Sequence, residues 1–309
     1  MDFHRFHKNV IQKDMKRNWQ SYLMILPALA FVLLFCYAPM YGVQLAFRDY
    51  RVLDGIAGSP WVGLKHLERF FAGHNSLQVI GNTLKVSLTA IVFGFPPPIL
   101  FALLLNEVRH KRFQKTIQTI TYIPHFISIT VLVAMLFTFC NQSTGIINLL
   151  LGKFFHMQPV PLMQSERWFL FMFILSGIWQ DMGYGSILYI ATLSTVDPCL
   201  HEAAIIDGAH RGQRIWHINL PCLTPTIVIM LIMRMGSVIN VGFEKVFLMQ
   251  NSLNMNVSEV LSTYVYRLGL INSRYDFSTA VNLFTSVVNC TMLVAVNAIS
   301  RKVSDHSLW

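Results

Sequence analysis

The chain has 309 residues, of which 54% are hydrophobic and only 13% are charged. Soluble globular domains are usually about one quarter charged, so this composition excludes an ordinary soluble domain and indicates a polytopic membrane protein. The net charge of +9 would suit a nucleic-acid partner. The lysines and arginines follow the membrane segments instead of forming one basic patch, so we expect no nucleic-acid binding.

Six apolar stretches reach the length of about 20 residues that a membrane-spanning helix needs. They cover residues 22–44, 83–106, 117–140, 168–194, 220–242 and 278–298. The short connections leave little room for a soluble catalytic domain. We therefore predict an all-α, polytopic membrane fold with about six transmembrane helices.

Lysine and arginine are about twice as dense in the segments on the side of the N-terminus as in the opposite loops. The positive-inside tendency then places both termini in the cytoplasm. We divide the chain into a basic cytoplasmic segment (1–20), a first transmembrane helix (21–47), an outer loop with a surface helix (48–80), a transmembrane core (81–300) and a cytoplasmic tail (301–309). The surface helix is predicted from Leu64, Leu67, Phe70 and Phe71, which recur at helical spacing.

Prolines interrupt two of the predicted spans. Pro96, Pro97 and Pro98 are consecutive in the second span, and Pro124 lies in the third. Proline removes backbone hydrogen bonds, which in lipid is tolerated only where protein or a water-filled cavity satisfies the freed groups. The interruptions indicate either simple kinks or a role in a transport pathway.

The fourth span contains Asp181, a carboxylate inside an apolar stretch. Such a group is costly in lipid and indicates a functional site by default. Gly183 and Gly185 follow it, so we expect local unwinding of the helix. Arg234 in the fifth span is a possible partner; alternatively, Asp181 lies near a helix end in contact with water. The outer loop 244–277 is long and polar, and either contacts an external partner or simply connects two spans.

Residues 197–225 form a polar stretch between the fourth and fifth spans. Asp197 and Pro198 are typical of a helix start, and the small residues Ala203 and Ala204 share one face of this helix. Gly208 is suited to end it. We expect a second short helix over 210–218, ended by Leu220-Pro221 and Thr224-Pro225. The predicted helix–glycine–helix hairpin exposes Glu202 and is either a docking surface for a partner or a solvated amphipathic loop.

The hairpin carries a sequence pattern that resembles a known family. Glu202-Ala203-Ala204-x-x-Asp207-Gly208-Ala209, followed by Leu220-Pro221, is similar to the EAA loop of permease subunits of binding-protein-dependent ABC importers. Further motifs resemble the carbohydrate-type branch, in particular permeases for complex or uronate-containing oligosaccharides: Asn18-Trp-Gln-x-Tyr-Leu-Met, Pro39-Met-Tyr-Gly, Gly58-Ser-Pro-Trp-Val-Gly-Leu, Leu103-Leu-Leu-Asn-Glu, Tyr122-Ile-Pro-His-Phe-Ile-Ser and Tyr189-Ile-Ala. The resemblance covers residues 18–300.

The resemblance implies a type I ABC importer permease fold in a bacterial inner membrane. The implied partners are a second permease subunit, two ATP-binding cassette subunits docked on the EAA loops, an external solute-binding protein and a carbohydrate substrate in surrounding lipid. The chain itself lacks a phosphate-binding loop, because Gly152-Lys153 has neither the first glycine nor the following hydroxyl residue. We therefore expect no enzyme activity and no cofactor in this chain, with ATP and magnesium bound by the partner ATPase.

Sugars are bound by aromatic faces and by amide or carboxylate groups. Candidate pathway residues with that chemistry lie on or near the spans: Tyr122, Trp179, Asp181, Tyr184, Arg234, Asn240 and Asn282. The five cysteines show no metal-ligand spacing, so no metal site is expected.

Two other functions fit parts of the sequence. An ion-coupled secondary sugar carrier would use Asp181 as its ion site, although the paired, related halves common in carriers are not visible. An intramembrane enzyme would need a catalytic partner for Asp181, and His125 is the only histidine in the predicted spans.

Overall fold

A computed structural model describes residues 17–303, and within this range the chain is helical without any β-strand. The predicted cytoplasmic segments 1–20 and 301–309 lie largely outside the described residues. The helices are α1 (Trp19–Val32), α2 (Gly55–Gly58), α3 (Lys65–Ala72), α4 (Ser76–Gly94), α5 (Pro96–Asn106), α6 (Lys111–Tyr122), α7 (Ile129–Phe139), α8 (Ile146–Phe155), α9 (Glu166–Gly185), α10 (Ile187–Leu193), α11 (Pro198–Ile206), α12 (Arg211–Arg214), α13 (Leu220–Met235), α14 (Phe243–Met249), α15 (Met255–Ser258), α16 (Leu261–Tyr266) and α17 (Tyr275–Val303).

Tighter and wider turns extend several of these helices. A π-helical turn, Leu33–Tyr37, and a 3₁₀ segment, Ala38–Phe47, continue α1. Another 3₁₀ turn, Ile123–Phe126, follows α6, and two further π-helical turns, Ile215–Asn219 and Arg267–Ile271, follow α12 and α16.

Four helices of the described chain are long and apolar enough to cross a membrane: Trp19–Phe47, Ser76–Asn106, Arg211–Met235 and Tyr275–Lys302. The pair Lys111–Phe126 and Ile129–Phe139, bent by 96°, makes a fifth if it counts as one span. The predicted fourth span coincides with α9 and α10 but is not among these helices, because Gln180 and Asp181 lower the hydropathy of α9. Six spans therefore stay a prediction.

The two proline interruptions have different outcomes. Pro96 to Pro98 occupy the first turn of α5, a position that suits proline because its fixed φ is already helical. The chain therefore continues from α4 into α5 as one membrane-length helix. Pro124 lies in the 3₁₀ turn before the 96° bend, so the predicted break of the third span is confirmed.

The segment 244–277 is not a polar loop, and that prediction is wrong. It forms α14, α15 and α16, and Val246 and Met249 pack with Val86 of α4 and Phe173 of α9 in one apolar core. A second core joins the surface helix α3 to α16 and α17 through Phe70, Leu261 and Val281. The segment resembles a polar loop in sequence because each short helix has only one apolar face. The residues of the polar faces dominate its average composition.

The N-terminal part of the first spanning helix has no such packing, whereas its 3₁₀ end, Ala38–Phe47, packs on α17 and buries Ala46. No residue of Trp19–Val32 is buried, whereas α5, α10 and α13 share a core built on Ala102, Tyr189 and Leu223. In a membrane an exposed apolar helix of this kind faces lipid or another subunit, so the described core of the chain lies in the helices from α3 onward.

Candidate translocation cavity and coupling hairpin

Three charged side chains from different helices line one cavity of about 260 Å³. They are Asp181 of α9, Arg234 of α13 and Lys245 of α14. Apolar groups from α4 and α9 surround them, together with the polar side chains of Ser87, Gln180 and Asn240. Concave sites with apolar walls and a few converging polar groups are the usual form of a ligand site.

Asp181 pairs with His125, and not with Arg234. The Nδ1 atom of His125 donates a hydrogen bond to Oδ1 of Asp181 over 3.0 Å. No ion pair joins Asp181 to Arg234 among the described residues, so the possible partner Arg234 is not the one that Asp181 contacts. His125 lies in the 3₁₀ turn that continues α6 and packs against α9, and sequence spacing gives no sign of that approach.

Tyr184 supports this pair. Its ring stacks on the imidazole of His125 with a centroid separation of 3.8 Å and an interplanar angle of 3°. Tyr184 is therefore a neighbour of the Asp181–His125 pair, although it does not itself line the cavity. The stacking fixes the imidazole plane, which orients the hydrogen bond to Asp181.

Lys245 was missed by the sequence analysis, because its segment was interpreted as an outer loop. The side chain is buried; its Nζ donates a hydrogen bond to the carbonyl of Phe173 over 3.0 Å and lies 4.8 Å from the centroid of that ring. Burial lowers the pKa of Lys245 from 10.5 to about 8, and the negative charge of Asp181 opposes this shift. The sequence signal that could have identified Lys245 is its position inside the short apolar run Phe243–Met249.

The other candidate pathway residues are dispersed. Asn240 lines the 260 Å³ cavity and also a second cavity of about 300 Å³, which contains Asn282. Trp179 is exposed on α9, and Tyr122 is half-buried at the end of α6. Neither residue lines these two cavities, so the structure brings together Asp181, Arg234 and Asn240 and leaves the aromatic candidates outside.

The expected unwinding after Asp181 does not occur, because α9 remains helical through Gly185. Gly183 serves close packing instead. A Cβ atom at this position would collide with the backbone of Thr121 in α6. The glycine lets α6 and α9 approach, and this approach places Asp181 beside the bend that carries His125.

The first arm of the hairpin, helix α11, forms as predicted. The Asp197 side chain caps α11 by accepting a hydrogen bond from the Cys199 N–H over 2.9 Å, and Pro198 occupies the first helical position. Gly208 adopts the left-handed conformation with φ of 80° and turns the chain. These observations confirm the predicted start and stop of this helix.

The outer face of this arm has both charge and apolar surface. Glu202, Ala203, Asp207 and Gly208 are exposed, and Ala204 and Ala209 are half-buried. Ile206 at the tip is 86% exposed, which is unusual for isoleucine. The combination of small, acidic and apolar groups at a turn gives a compact surface on which another protein can pack.

The second arm of the hairpin, which begins with α12, differs from the predicted short helix over 210–218. His210 and Gln213 cap α12 reciprocally, and the chain then continues through Leu220 and Pro221 as one helix, Arg211–Met235. Pro221 does not end it: this residue lies in the first turn of α13, directly after the wider π-helical turn Ile215–Asn219, and Pro225 lies within the same helix. The hairpin is therefore directly continuous with the spanning helix.

An ion pair ties the hairpin to the core. The Nη2 atom of Arg214 lies 3.8 Å from Oε2 of Glu107, the residue that follows α5. Both side chains are largely buried, so solvent screens this interaction less than a surface pair.

A family model supplies the decisive comparison. The model described as "Binding-protein-dependent transport system inner membrane component" matches residues 98–305, which include the cavity and the hairpin. The chain belongs to this family. It is thus a multi-pass inner-membrane permease, and membership in a binding-protein-dependent system favours the ABC importer over the secondary carrier.

Relatives of this permease extend the match to nearly the whole chain. Protein LplB of Bacillus subtilis is 42% identical over 96% of this chain and 92% of its own length. The Polygalacturonan/rhamnogalacturonan transport system permease protein YteP of the same organism is 41% identical over 93% of this chain and 89% of its own length.

A solved structure confirms the fold. A chain in the crystal structure of a bacterial ABC transporter involved in the import of the acidic polysaccharide alginate has a TM-score of 0.88 and 39% identity to this permease. The match covers 95% of this chain and 99% of that chain. A second crystal structure of the alginate transporter, in complex with an alginate pentasaccharide-bound periplasmic protein, matches equally well, with a TM-score of 0.88. The all-α importer permease fold is therefore shown.

Proposed function

We propose that this permease lines the translocation pathway of an ATP-driven importer for an acidic, uronate-containing oligosaccharide. The observation that carries the proposal is the charge in the 260 Å³ cavity. Asp181 accepts a hydrogen bond from His125, whereas Arg234 and Lys245 make no ion pair with a described carboxylate. Two cations that form no ion pair with a described carboxylate, in a partly apolar cavity, favour a carboxylated sugar over a neutral one.

The relatives support the same substrate class. The names of YteP and of the solved transporter refer to polygalacturonan and alginate, which are both chains of uronic acids. We extend from them the expected partners: a second permease subunit, two ATP-binding cassette subunits that bind ATP and magnesium, and an external solute-binding protein that delivers the sugar. The termini and the hairpin are assigned to the cytoplasmic side.

Uptake into proteoliposomes tests the substrate class. The assembled transporter, with saturating binding protein and internal ATP, is given an oligogalacturonate or the same oligosaccharide with its carboxyl groups reduced to alcohols. Losing one charge-assisted contact costs about 1.5–3 kcal/mol. We therefore expect Arg234→Gln and Lys245→Met to slow uptake of the acidic sugar by about tenfold or more while changing uptake of the reduced sugar little.

The matched control is Lys153→Met, which removes an exposed lysine on α8, away from the cavity. It should leave uptake of both sugars unchanged. Equal uptake of the acidic and reduced sugars by the wild-type transporter, or equal effects of Lys245→Met and Lys153→Met, would show that the cavity does not select for carboxylates.

For the hairpin, we propose that Glu202, Ala203, Ala204, Asp207, Gly208 and Ala209, with Leu220 and Pro221 at its base, form the ATPase-coupling surface. Glu202→Lys reverses an exposed charge there, and Glu68→Lys does the same on the surface helix α3. We expect only Glu202→Lys to reduce co-purification of the ATPase and ATP-dependent uptake. Unchanged association and uptake in Glu202→Lys would refute this assignment.

A further inference from the structure

Three possible metal ligands from distant parts of the sequence meet near one end of the permease. They are Asp49, which follows the first spanning helix, His66 of the surface helix α3, and Asp276 at the start of α17. Their ligand atoms all lie within 4.8 Å of one another. The expectation of no metal site rested on local spacing, which cannot detect ligands separated by more than 200 residues.

The imidazole is held at the centre of this group. His66 is 4% exposed, and its Nε2 lies 2.9 Å from the backbone carbonyl oxygen of Arg48 and 3.6 Å from Oδ2 of Asp276. The other oxygen of Asp276, Oδ1, accepts a hydrogen bond from the Phe277 N–H over 2.7 Å. Oδ2 is therefore the oxygen directed at the imidazole.

The two carboxylates lack a lysine or arginine partner within the described chain. No such side chain makes an ion pair with Asp49 or Asp276. The nearest arginines are engaged elsewhere: the guanidinium of Arg48 donates to the carbonyls of Ala57 and Ser59, and that of Arg274 lies over the ring of Phe277. Two neighbouring carboxylates in a half-buried position repel each other unless a cation compensates them.

We propose that Asp49, His66 and Asp276 bind a divalent transition-metal ion, Zn²⁺ or Mn²⁺, with the Arg48 carbonyl as a fourth ligand. Zinc bonds of about 2.0–2.2 Å to nitrogen and oxygen give ligand–ligand separations of about 3.4 Å in a tetrahedron. The measured separations of 2.9 and 3.6 Å around Nε2 bracket that value. An imidazole combined with oxygen ligands suits zinc or manganese better than magnesium or calcium.

Metal binding requires only a tautomer change at His66. In the hydrogen bond to the Arg48 carbonyl, Nε2 carries the proton; when the metal binds Nε2, that proton is carried by Nδ1 and the ring remains neutral. The ion would fasten the end of the first helix and the surface helix to the start of α17. This site lies apart from the cavity and does not depend on the proposed substrate.

Metal content and thermal unfolding of the assembled transporter test the site. The protein is prepared without a polyhistidine tag, stripped with EDTA, exposed to Zn²⁺ or Mn²⁺ and desalted. We expect one more bound ion per permease in the wild type than in Asp49→Asn or Asp276→Asn. The midpoint of wild-type unfolding should rise with metal concentration, because an ion that binds only the folded state stabilises it by mass action.

The variants are chosen to keep the fold. Asparagine at 276 retains the Oδ1 acceptor for the Phe277 N–H, and Asp49 lies outside the helices. Each should weaken metal affinity by about 100-fold or more, since even second-layer changes cost about 10–100-fold. Asp54→Asn, which neutralises an exposed acid of the same segment, should bind metal like the wild type. Equal metal binding by Asp276→Asn and Asp54→Asn, or no metal-dependent rise in the unfolding midpoint of the wild type, overturns the proposal.

Discussion

The Nδ1 atom of His125 lies 3.0 Å from Oδ1 of Asp181 and joins the bend of the third predicted span to helix α9. The two side chains are 35% and 56% exposed. Pairs of this exposure contribute about 0–1 kcal/mol to stability. The pair therefore adds little to stability, and because Asp181 lines the cavity we propose that the pair acts in the pathway.

We expect Asp181→Asn and His125→Gln each to slow uptake while lowering the free energy of unfolding by less than about 1 kcal/mol. Because the two residues act as one unit, the double variant should be little worse than either single variant. Asp181→Asn combined with Arg234→Gln should instead show additive losses, measured as uptake rates in proteoliposomes. Additive losses for the His125 and Asp181 pair would contradict the coupling.

Gly208 offers a test of the hairpin turn. Its φ of 80° is costly for any residue with a side chain, by about 1–2 kcal/mol, so Gly208→Ala should distort the turn. We expect less co-purified ATPase and slower uptake. Gly212→Ala is the matched control, because Gly212 lies in α12 without a positive φ. Similar ATPase recovery for both variants would show that the turn geometry is not needed for docking.

Gly183 is expected to matter for stability. Its Cβ would meet the Thr121 backbone, which cannot move aside without shifting α6, so Gly183→Ala should destabilise the protein by about 1–3 kcal/mol. Gly81 lies in α4 with no atom within 4 Å of an added Cβ. Gly81→Ala should therefore leave the unfolding midpoint unchanged or raise it. The reverse order of midpoints would exclude close packing as the reason for Gly183.

The lowered pKa of Lys245 leads us to expect that uptake of an acidic oligosaccharide depends on pH. With its pKa lowered to about 8, its positive charge is lost as the pH rises through this value, and uptake of an acidic oligosaccharide should fall between about pH 7 and 9. Lys245→Arg keeps its charge and should remove this step from the profile. The control is the pH profile of ATP hydrolysis in the same proteoliposomes. An identical decline in wild type and Lys245→Arg would assign the pH effect to another group.

The lowered pKa of Lys245 also affects stability. The free energy of unfolding should rise with pH, whereas uptake of the acidic sugar should fall. Between about pH 8 and 10.5 the unfolded chain binds more protons at Lys245 than the folded chain does, so the contribution of this residue to stability rises with pH across that window. Below pH 8 the full cost of burying the ammonium group is present. Thermal unfolding of wild type and Lys245→Met at pH 7 and 9.5 measures the difference, which should shrink at the higher pH.

Local signals predicted those parts of the hairpin that local chemistry decides. The Asp197 cap, Pro198 and the left-handed Gly208 all depend on interactions within a few residues. The same reasoning failed at Pro221 and Pro225, which lie within one continuous helix that also contains a π-helical turn, and short-range propensities do not indicate such turns.

The composition of the cavity was only partly predictable. Asp181 and Arg234 stood out as charges in apolar stretches, but the Asp181 partner is 56 residues away and reaches it through the packing of α6 and its 3₁₀ turn against α9. Lys245 lies in a helix too short to be recognised as buried, and its depth depends on packing against α9. Hydropathy reports composition along the chain and carries no information on such tertiary approaches.

The continuous helix Arg211–Met235 has a mechanical consequence. At 1.5 Å per residue its 25 residues span about 37 Å, with the hairpin turn at one end and Arg234 at the other. This helix is continuous through the π-helical turn Ile215–Asn219 and past Pro225, so we expect a displacement at its hairpin end to be passed along it to the guanidinium at the cavity. An ATPase docked at the hairpin, as proposed, would then be connected to the cavity by a single piece of secondary structure.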